Sequence, residues 1–167
     1  ELPIQADYVG KTVTTTEAEI IKNGTAPWRI GQLYAMGIAN MKKGDLNTAL
    51  QMAGVMSHYV GDLSQPLHVS KNYDGQETND VGIHKFFETT NIASGDEDLL
   101  VNAIVPMAQA LMNDPKFQQT FSKGVVDSAF SEVDRSFALK DTVINTDKKL
   151  GRTGKGASAL LEIAKAR

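Results

Sequence analysis

Residues 45–68 have the sequence DLNTALQMAGVMSHYVGDLSQPLH, and this stretch carries the clearest helical pattern in the chain. Its apolar residues recur at intervals of three and four and form one stripe: Leu46, Ala49, Leu50, Ala53, Met56, Val60 and Leu63. Asp45 is a favourable N-cap. Pro66 should end the helix, because its ring disfavours helical geometry in the residue before it. The stretch therefore predicts an amphipathic α-helix from Asp45 to the residue before Pro66.

Helical spacing also extends upstream of this stretch. The pattern predicts a short helix over residues 16–22 that ends at Asn23-Gly24. A second helix follows, with Pro27 in its first turn and Gly44 just after its end, the usual positions for these two residue types. The chain before residue 45 is therefore expected to be helical.

Downstream, a polar loop over residues 70–82 is followed by further helical patterns. The first is a helix over residues 83–92, which Gly95 closes. The next begins with Asp96, Glu97 and Asp98 and is kinked at Pro106. An apolar stripe then runs from Phe117 through Phe121 to Phe137, and a last helix covers 160–166. No pair of alternating apolar runs joined by a tight turn indicates a sheet. We therefore predict the all-α class, with a single domain over residues 1–167.

Composition excludes several classes of function. The 167 residues, 41% hydrophobic and 22% charged, are typical of one globular domain. The net charge of −3 provides no general attraction for nucleic-acid phosphates. The absence of Cys excludes disulfides, thiolate zinc sites and cysteine nucleophiles. No window approaches the ~18 apolar residues of a membrane span, and the first ten residues do not resemble a signal peptide.

All three histidines of the chain lie between His58 and His84. His58 and Asp62 are four residues apart on the predicted helix, so they share one face with Cβ atoms about 5–6 Å apart. His84 and Glu88 repeat this spacing, and His68 lies between the two pairs. Imidazole and carboxylate groups at such spacing suit zinc. Solvent-exposed ion pairs are the alternative, and spacing alone leaves both interpretations open.

Two motifs extend the argument beyond spacing. HYVGDLSQPLH, residues 58–68, resembles the signature of the zinc-dependent phospholipase C and single-strand nuclease family, and GIHKFFE, residues 82–88, is similar to that family's second segment. The motifs and the loop between them cover 31 residues. The resemblance implies a mostly helical domain that holds three zinc ions at the bottom of a cleft and cleaves phosphodiester bonds.

The resemblance also implies a role for each matched residue. His58 would bind the first zinc, and Asp62 would bridge the first and third zinc ions and so take part in catalysis. His68, His84 and Glu88 would form the second zinc site, whose protein ligands are all present. The family's remaining ligands lie upstream and include two further histidines, which this sequence lacks. We therefore expect one complete zinc site in the carboxy-terminal part of a longer protein; decay of the other sites is the alternative.

Weaker signals lie outside these motifs. Tyr73 and Asp74 are candidates for substrate contact or for orienting a metal-bound histidine, with an ordinary turn as the alternative. The small basic run of Lys148, Lys149, Arg152 and Lys155 is expected to be a solvated turn, with an anionic membrane or polynucleotide as the alternative partner.

The resemblance implies a hydrolase: a zinc-dependent phosphodiesterase of the phospholipase C type, secreted or periplasmic, acting on phospholipid head groups with peripheral membrane contact. Glu88, where Asp also occurs in the family, and the absence of Cys favour this type. The first alternative is a nuclease acting on single-stranded nucleic acid. The second is a non-catalytic helical domain in which one zinc ion links the helices. We predict no obligate protein partner, and inactivity of the isolated chain, which lacks the upstream ligands, is compatible with this interpretation.

Overall fold

The computed structural model of the protein describes residues 4–8, 11–93, 97–120 and 124–166. Apart from one hairpin at the start, the regular structure in these ranges is helical, which confirms the all-α prediction. The hairpin pairs β1 (Ile4–Tyr8) with β2 (Lys11–Thr15) in antiparallel register. The expectation of no strand pair was therefore wrong at this point. β2 is rich in β-branched threonine, which favours strands without producing an apolar alternation.

Helices form the remaining regular structure of the described residues. They are α1 (Glu17–Asn23), α2 (Ala26–Lys42), α3 (Leu46–Ser64), α4 (Ile83–Lys85), α5 (Asn91–Ala93), α6 (Glu97–Met112), α7 (Pro115–Thr120), α8 (Val125–Leu150) and α9 (Lys155–Lys165). A π-helical turn, Phe86–Thr90, joins α4 to α5. None of the helices in the ranges given above is long and apolar enough to cross a membrane.

The first three helices begin and end close to the predicted residues. Thr16 and Glu19 form a capping box at the start of α1, in which each side chain accepts a hydrogen bond from the other residue's backbone N–H. Asp45 caps α3 by accepting from the N–H of Thr48 at 3.1 Å, and its hydrogen bonds with Thr48 lower the pKa of Asp45. α3 ends at Ser64, two residues before Pro66, as expected.

Later boundaries differ from the prediction in two places. The stripe from Phe117 to Phe137 belongs to two helices, α7 and α8, because Gly124 precedes α8 with a positive φ of 119° that interrupts helical geometry. The last helix begins at Lys155 rather than Leu160. Pro106 lies inside α6 as expected. The predicted boundary at Gly95 and Asp96, and Phe121 of the stripe, lie outside the described residues.

The core consists of two clusters of buried side chains. The first cluster joins the segment after α3 to α4, the π turn, α8 and α9; its members are Leu67, Ile83, Phe87, Val143, Ile144 and Leu160. The second joins α2, α3 and α8 through Ile30, Leu63 and Ala129. The predicted stripe of α3 is buried only in part, since Leu46, Leu50 and Val60 are exposed. The buried residues of this helix are Ala49 near its start and Leu63 near its end.

Replacing Leu67 by Ala tests the first cluster. Leu67 is fully buried, so Leu67→Ala should lower the free energy of unfolding by about 2–5 kcal/mol through lost apolar burial and the cavity left behind. Leu50→Ala makes the same substitution at an exposed position and is the matched control, because Leu50 is 70% exposed. It should change stability by less than about 0.5 kcal/mol. Chemical denaturation measures both, and equal losses would contradict this assignment of the core.

Candidate metal centre

Three predicted site residues meet at one point and are called the ligand cluster: His68, His84 and Glu88. His84 Nε2 lies 2.8 Å from Glu88 Oε2 and 3.1 Å from His68 Nε2. His68 Nε2 is 3.2 Å from the same Glu88 oxygen. Atoms that bind one zinc ion at about 2.0–2.1 Å in a tetrahedral arrangement lie about 3.3 Å apart. The ligand cluster therefore has the spacing of a metal site and could hold one divalent ion.

Each member of the ligand cluster directly follows a buried residue of the first core cluster. The pairs are Leu67 before His68, Ile83 before His84, and Phe87 before Glu88. Because a buried side chain fixes its own backbone, the next residue projects from a fixed position. The hydrophobic core thus determines where the three polar groups can meet.

The turn after α3 directs His68 toward α4. Pro66 is buried and ends the helix, and the side-chain oxygen of Gln65 accepts a hydrogen bond from the N–H of Leu67. The amide nitrogen of Gln65 lies 3.5 Å from Glu88 Oε2. Gln65 therefore connects this turn to the π turn that carries Glu88, a kind of turn that often occurs at functional sites. Gln65 lies in the quoted motif, yet the sequence did not indicate this role.

A backbone carbonyl sets the tautomer of His84. His84 Nδ1 lies 3.1 Å from the carbonyl oxygen of Tyr73. Since a carbonyl can only accept, Nδ1 carries a proton, and Nε2 is the ring nitrogen that faces the ligand cluster and is available to a metal ion. Hydrogen bonds of this kind orient metal-binding histidines. Tyr73 thus acts through its backbone, while its ring stands edge-on to the His84 ring with centroids 6.2 Å apart.

Asp74 holds the start of α4. Its Oδ1 accepts hydrogen bonds from the N–H of Gly82 at 3.0 Å and of His84 at 3.1 Å. Through these hydrogen bonds Asp74 holds the backbone of His84. Orienting a histidine is one of the roles that the sequence suggests for Tyr73 and Asp74.

Asp62 connects the remaining predicted pair to the ligand cluster. Its Oδ1 lies 3.4 Å from His68 Nδ1, and its Oδ2 lies 3.4 Å from His58 Nε2. The His58 side chain is 73% exposed. The structure therefore brings all five predicted residues into one continuous chain of contacts, with three converging on a point and His58 and Asp62 beside them.

The electrostatics keep Glu88 ionised. Partial burial raises the pKa of Glu88, but the hydrogen bond from Gln65 and the neighbouring imidazoles of His68 and His84 outweigh it. The net effect lowers the pKa of Glu88 below its usual range. An anionic carboxylate is the form that binds a metal ion.

A cleft of about 1340 Å³ opens beside the ligand cluster. Asp62, His68 and Tyr73 line it, as do three further aromatic side chains and several charged ones; among these are Trp28, Phe130, Phe137, Lys71 and Lys140. A second groove of about 560 Å³ between α2, α3 and α8 is mainly apolar. Of these two cavities, the first is the one that the predicted site residues line.

Comparison with known proteins gives little beyond the structure. No family model matches the chain. No solved structure matches it. A protein of Bradyrhizobium tropiciagri described as a probable serine protease is 33% identical over 90 residues. The match covers 44% of this chain and 12% of that relative. The chain therefore matches only a small part of the relative's length.

Asp74 provides a test of how the centre is positioned. Asp74→Ala removes the acceptor of the backbone N–H groups of Gly82 and His84, and should lower the affinity of the ligand cluster for a divalent metal ion about 10–100-fold without removing a ligand. Asp74→Asn keeps an acceptor oxygen at the same place and should lose much less. Competitive titration against a chelator of known affinity measures both. Identical affinities for the two variants would show that Asp74 does not position His84.

Proposed function

We propose that this chain carries the metal centre of a zinc-dependent phosphodiesterase of the phospholipase C type. The observation that supports the proposal best is the ligand cluster, whose three donor atoms lie within 4.8 Å of one another. Two imidazoles and one carboxylate are a ligand set of catalytic zinc sites that keep a fourth position open. The family resemblance of the two motifs agrees with this ligand set.

The residues of the chain supply a defined environment for such an ion. When bound, zinc lowers the pKa of water and provides hydroxide near neutral pH for attack on phosphorus. His68 and His84 present neutral nitrogen donors, each with its other ring nitrogen held by Asp62 or by the Tyr73 carbonyl. Glu88 contributes one negative charge, which leaves the centre positive and able to attract a phosphodiester.

Asp62 and His58 are proposed to bind a further ion, as the resemblance implies. The two oxygens of Asp62 face different histidines, so this carboxylate has the geometry to bridge neighbouring groups. In this role Asp62 is the residue we expect to participate in catalysis.

The proposed substrate is a phospholipid head group. The cleft beside the ligand cluster has aromatic walls and both basic and acidic side chains. Lys71 can contact an anionic phosphodiester attached to an apolar body, whereas Lys140 is paired with Asp141 at 2.8 Å. Such a substrate implies peripheral contact with a membrane. By resemblance, we also propose that the enzyme is secreted or periplasmic.

A single-strand nuclease is the second candidate, because Trp28, Phe130 and Phe137 line the same cleft and aromatic rings can stack on bases. A non-catalytic domain is the third, because a metal held by His68, His84 and Glu88 would link the end of α3 to α4 and the π turn.

The name of the Bradyrhizobium relative denotes a hydrolase as well, but one that uses serine. The serines nearest in sequence to His58 and His68 bond to backbone groups. Ser57 and Ser64 donate to carbonyls one turn earlier in α3, and Ser70 accepts from the N–H of Asn72. Each histidine contacts a carboxylate instead. We therefore propose hydrolysis that depends on metal rather than on serine.

Zinc content and turnover test the proposed function together. The wild-type chain should hold zinc at the ligand cluster, and chelation should abolish any turnover of bis(p-nitrophenyl) phosphate that the chain supports without its upstream ligands. His84→Ala should lose both, because it removes a central donor. His58→Ala should keep the zinc ion of the ligand cluster and lose only a further ion bound together with Asp62, since His58 contacts only Asp62 among the described ion pairs.

The outcomes separate the candidates. Faster turnover of phosphatidylcholine than of single-stranded DNA supports the phospholipase type, and the reverse order supports the nuclease. Bound zinc without turnover supports the non-catalytic domain. Unchanged zinc content in His84→Ala would reject the site itself.

A further inference from the structure

A second group of charged side chains lies buried outside the ligand cluster. Arg152, between α8 and α9, contacts two carboxylates that we call the acid pair, Asp80 and Asp147. The Asp147 side chain is 2% exposed and that of Asp80 is 10% exposed. Arg152 is therefore not part of a solvated basic turn, contrary to the expectation from the sequence.

The contacts of Arg152 are numerous and directional. Its Nε and Nη2 each lie 2.8 Å from Asp147 Oδ2, and Nη2 is 3.4 Å from Asp80 Oδ1. Nη2 also donates to the backbone carbonyl of Asp80 at 3.1 Å, and Nη1 to that of Val81 at 3.2 Å. One guanidinium thus holds α8 against the end of the 70–82 loop.

The acid pair has one more negative charge than Arg152 can balance. Asp80 Oδ2 and Asp147 Oδ1 are buried. As long as both carboxyl groups are ionised, neither oxygen has a hydrogen-bond partner in the described part of the chain. One proton shared between the two carboxyl groups satisfies both oxygens and leaves a single negative charge opposite Arg152.

The energetics of Asp80 agree with this arrangement. Burial, its hydrogen bond with Asp147 and the charge of Asp147 raise the pKa of Asp80, and Arg152 and Lys148 oppose the rise. Asp74, from the same loop, adds a further negative charge near Arg152. The charged groups that act on Asp80 therefore come from α8 and the turn after α8, and Asp74 of the loop acts on Arg152.

The acid pair is connected to the ligand cluster through a short piece of backbone. Arg152 holds the carbonyls of residues 80 and 81, Gly82 follows with a φ of 90°, and His84 comes two residues later. A Cβ at Gly82 would lie 3.0 Å from Arg152 Nη1, so the guanidinium packs directly on this turn. Asp74 binds the same turn through the N–H of Gly82 and of His84.

We propose that the proton shared by the acid pair keeps Arg152 in place as a positioning residue for His84. Metal affinity then depends on a protonation event away from the metal ligands. Loss of the proton leaves two anions in contact and drives Asp80 toward solvent, which moves the turn that presents His84. The part of this inference that concerns metal rests on the proposed function, while the shared proton does not.

Variants at Arg152 test the positioning role at constant pH. Arg152→Gln should lower zinc affinity about 10-fold at pH 6, because the carbonyls of the 80–81 segment lose their donor. Arg152→Lys should restore part of the loss, since an ammonium retains the charge but not the planar fork. Lys155→Gln removes a neighbouring exposed charge and is the matched control. Equal affinity in Arg152→Gln and Lys155→Gln would overturn the positioning role.

The pH dependence of stability tests the shared proton without metal. A raised pKa means that the folded state binds the proton more tightly than the unfolded state. The stabilising contribution of the shared proton is therefore complete below the ordinary Asp pKa of about 3.9. It decreases as pH rises toward and through the pKa that Asp80 has in the folded state. Asp80→Asn keeps a donor toward Asp147 but cannot lose a proton, so this decrease should be absent.

The experiment compares thermal unfolding of metal-free wild type and Asp80→Asn from pH 4 to pH 8. The midpoint of the wild type should fall relative to the variant as pH rises, and parallel profiles would overturn the shared proton. If Asp80→Asn does not fold, Asp147→Asn allows the same comparison. If the wild type binds no zinc, the proposed function and the positioning role fail, and the metal-free profiles still decide whether the proton is shared.

Discussion

The candidate metal centre depends on the burial of three apolar side chains that directly precede its ligands. Leu67, Ile83 and Phe87 pack together in one core cluster with residues of α8 and α9. Their burial fixes three separate pieces of backbone relative to one another. The polar residues that follow them must then meet at the edge of the core, where a metal ion can compensate the cost of bringing them together.

Polar contacts refine the position that the core sets. Asp62 and the Tyr73 carbonyl hold one ring nitrogen of His68 and of His84, and Gln65 lies within hydrogen-bond reach of Glu88. Farther out, Asp74 and Arg152 hold the turn before His84 from two sides. The centre is therefore surrounded by groups that fix tautomer, charge and orientation.

Much of the fold could be predicted from local signals. Asp45 as a cap and Pro66 as a stop act within a few residues, so the limits of α3 follow from the sequence. The hairpin was missed because threonine carries strand preference without polarity alternation. The division between α7 and α8 was missed because it depends on the positive φ of Gly124, which an apolar stripe does not indicate.

The site could be predicted only in part. Helical spacing places His58 with Asp62 and His84 with Glu88. It does not place His68, which reaches the other ligands through a bend after Pro66 and was assigned by family resemblance. Arg152 was misjudged because its partners Asp80 and Asp147 come together only through tertiary packing.

The central claim is that His68, His84 and Glu88 bind one divalent ion together. X-ray absorption spectroscopy of the zinc-loaded protein tests it most directly, because imidazole ligands scatter in a recognisable way. We predict two imidazole nitrogens and at least one oxygen at about 2.0–2.1 Å from zinc. A zinc environment of oxygen atoms alone, without imidazole, would contradict the account.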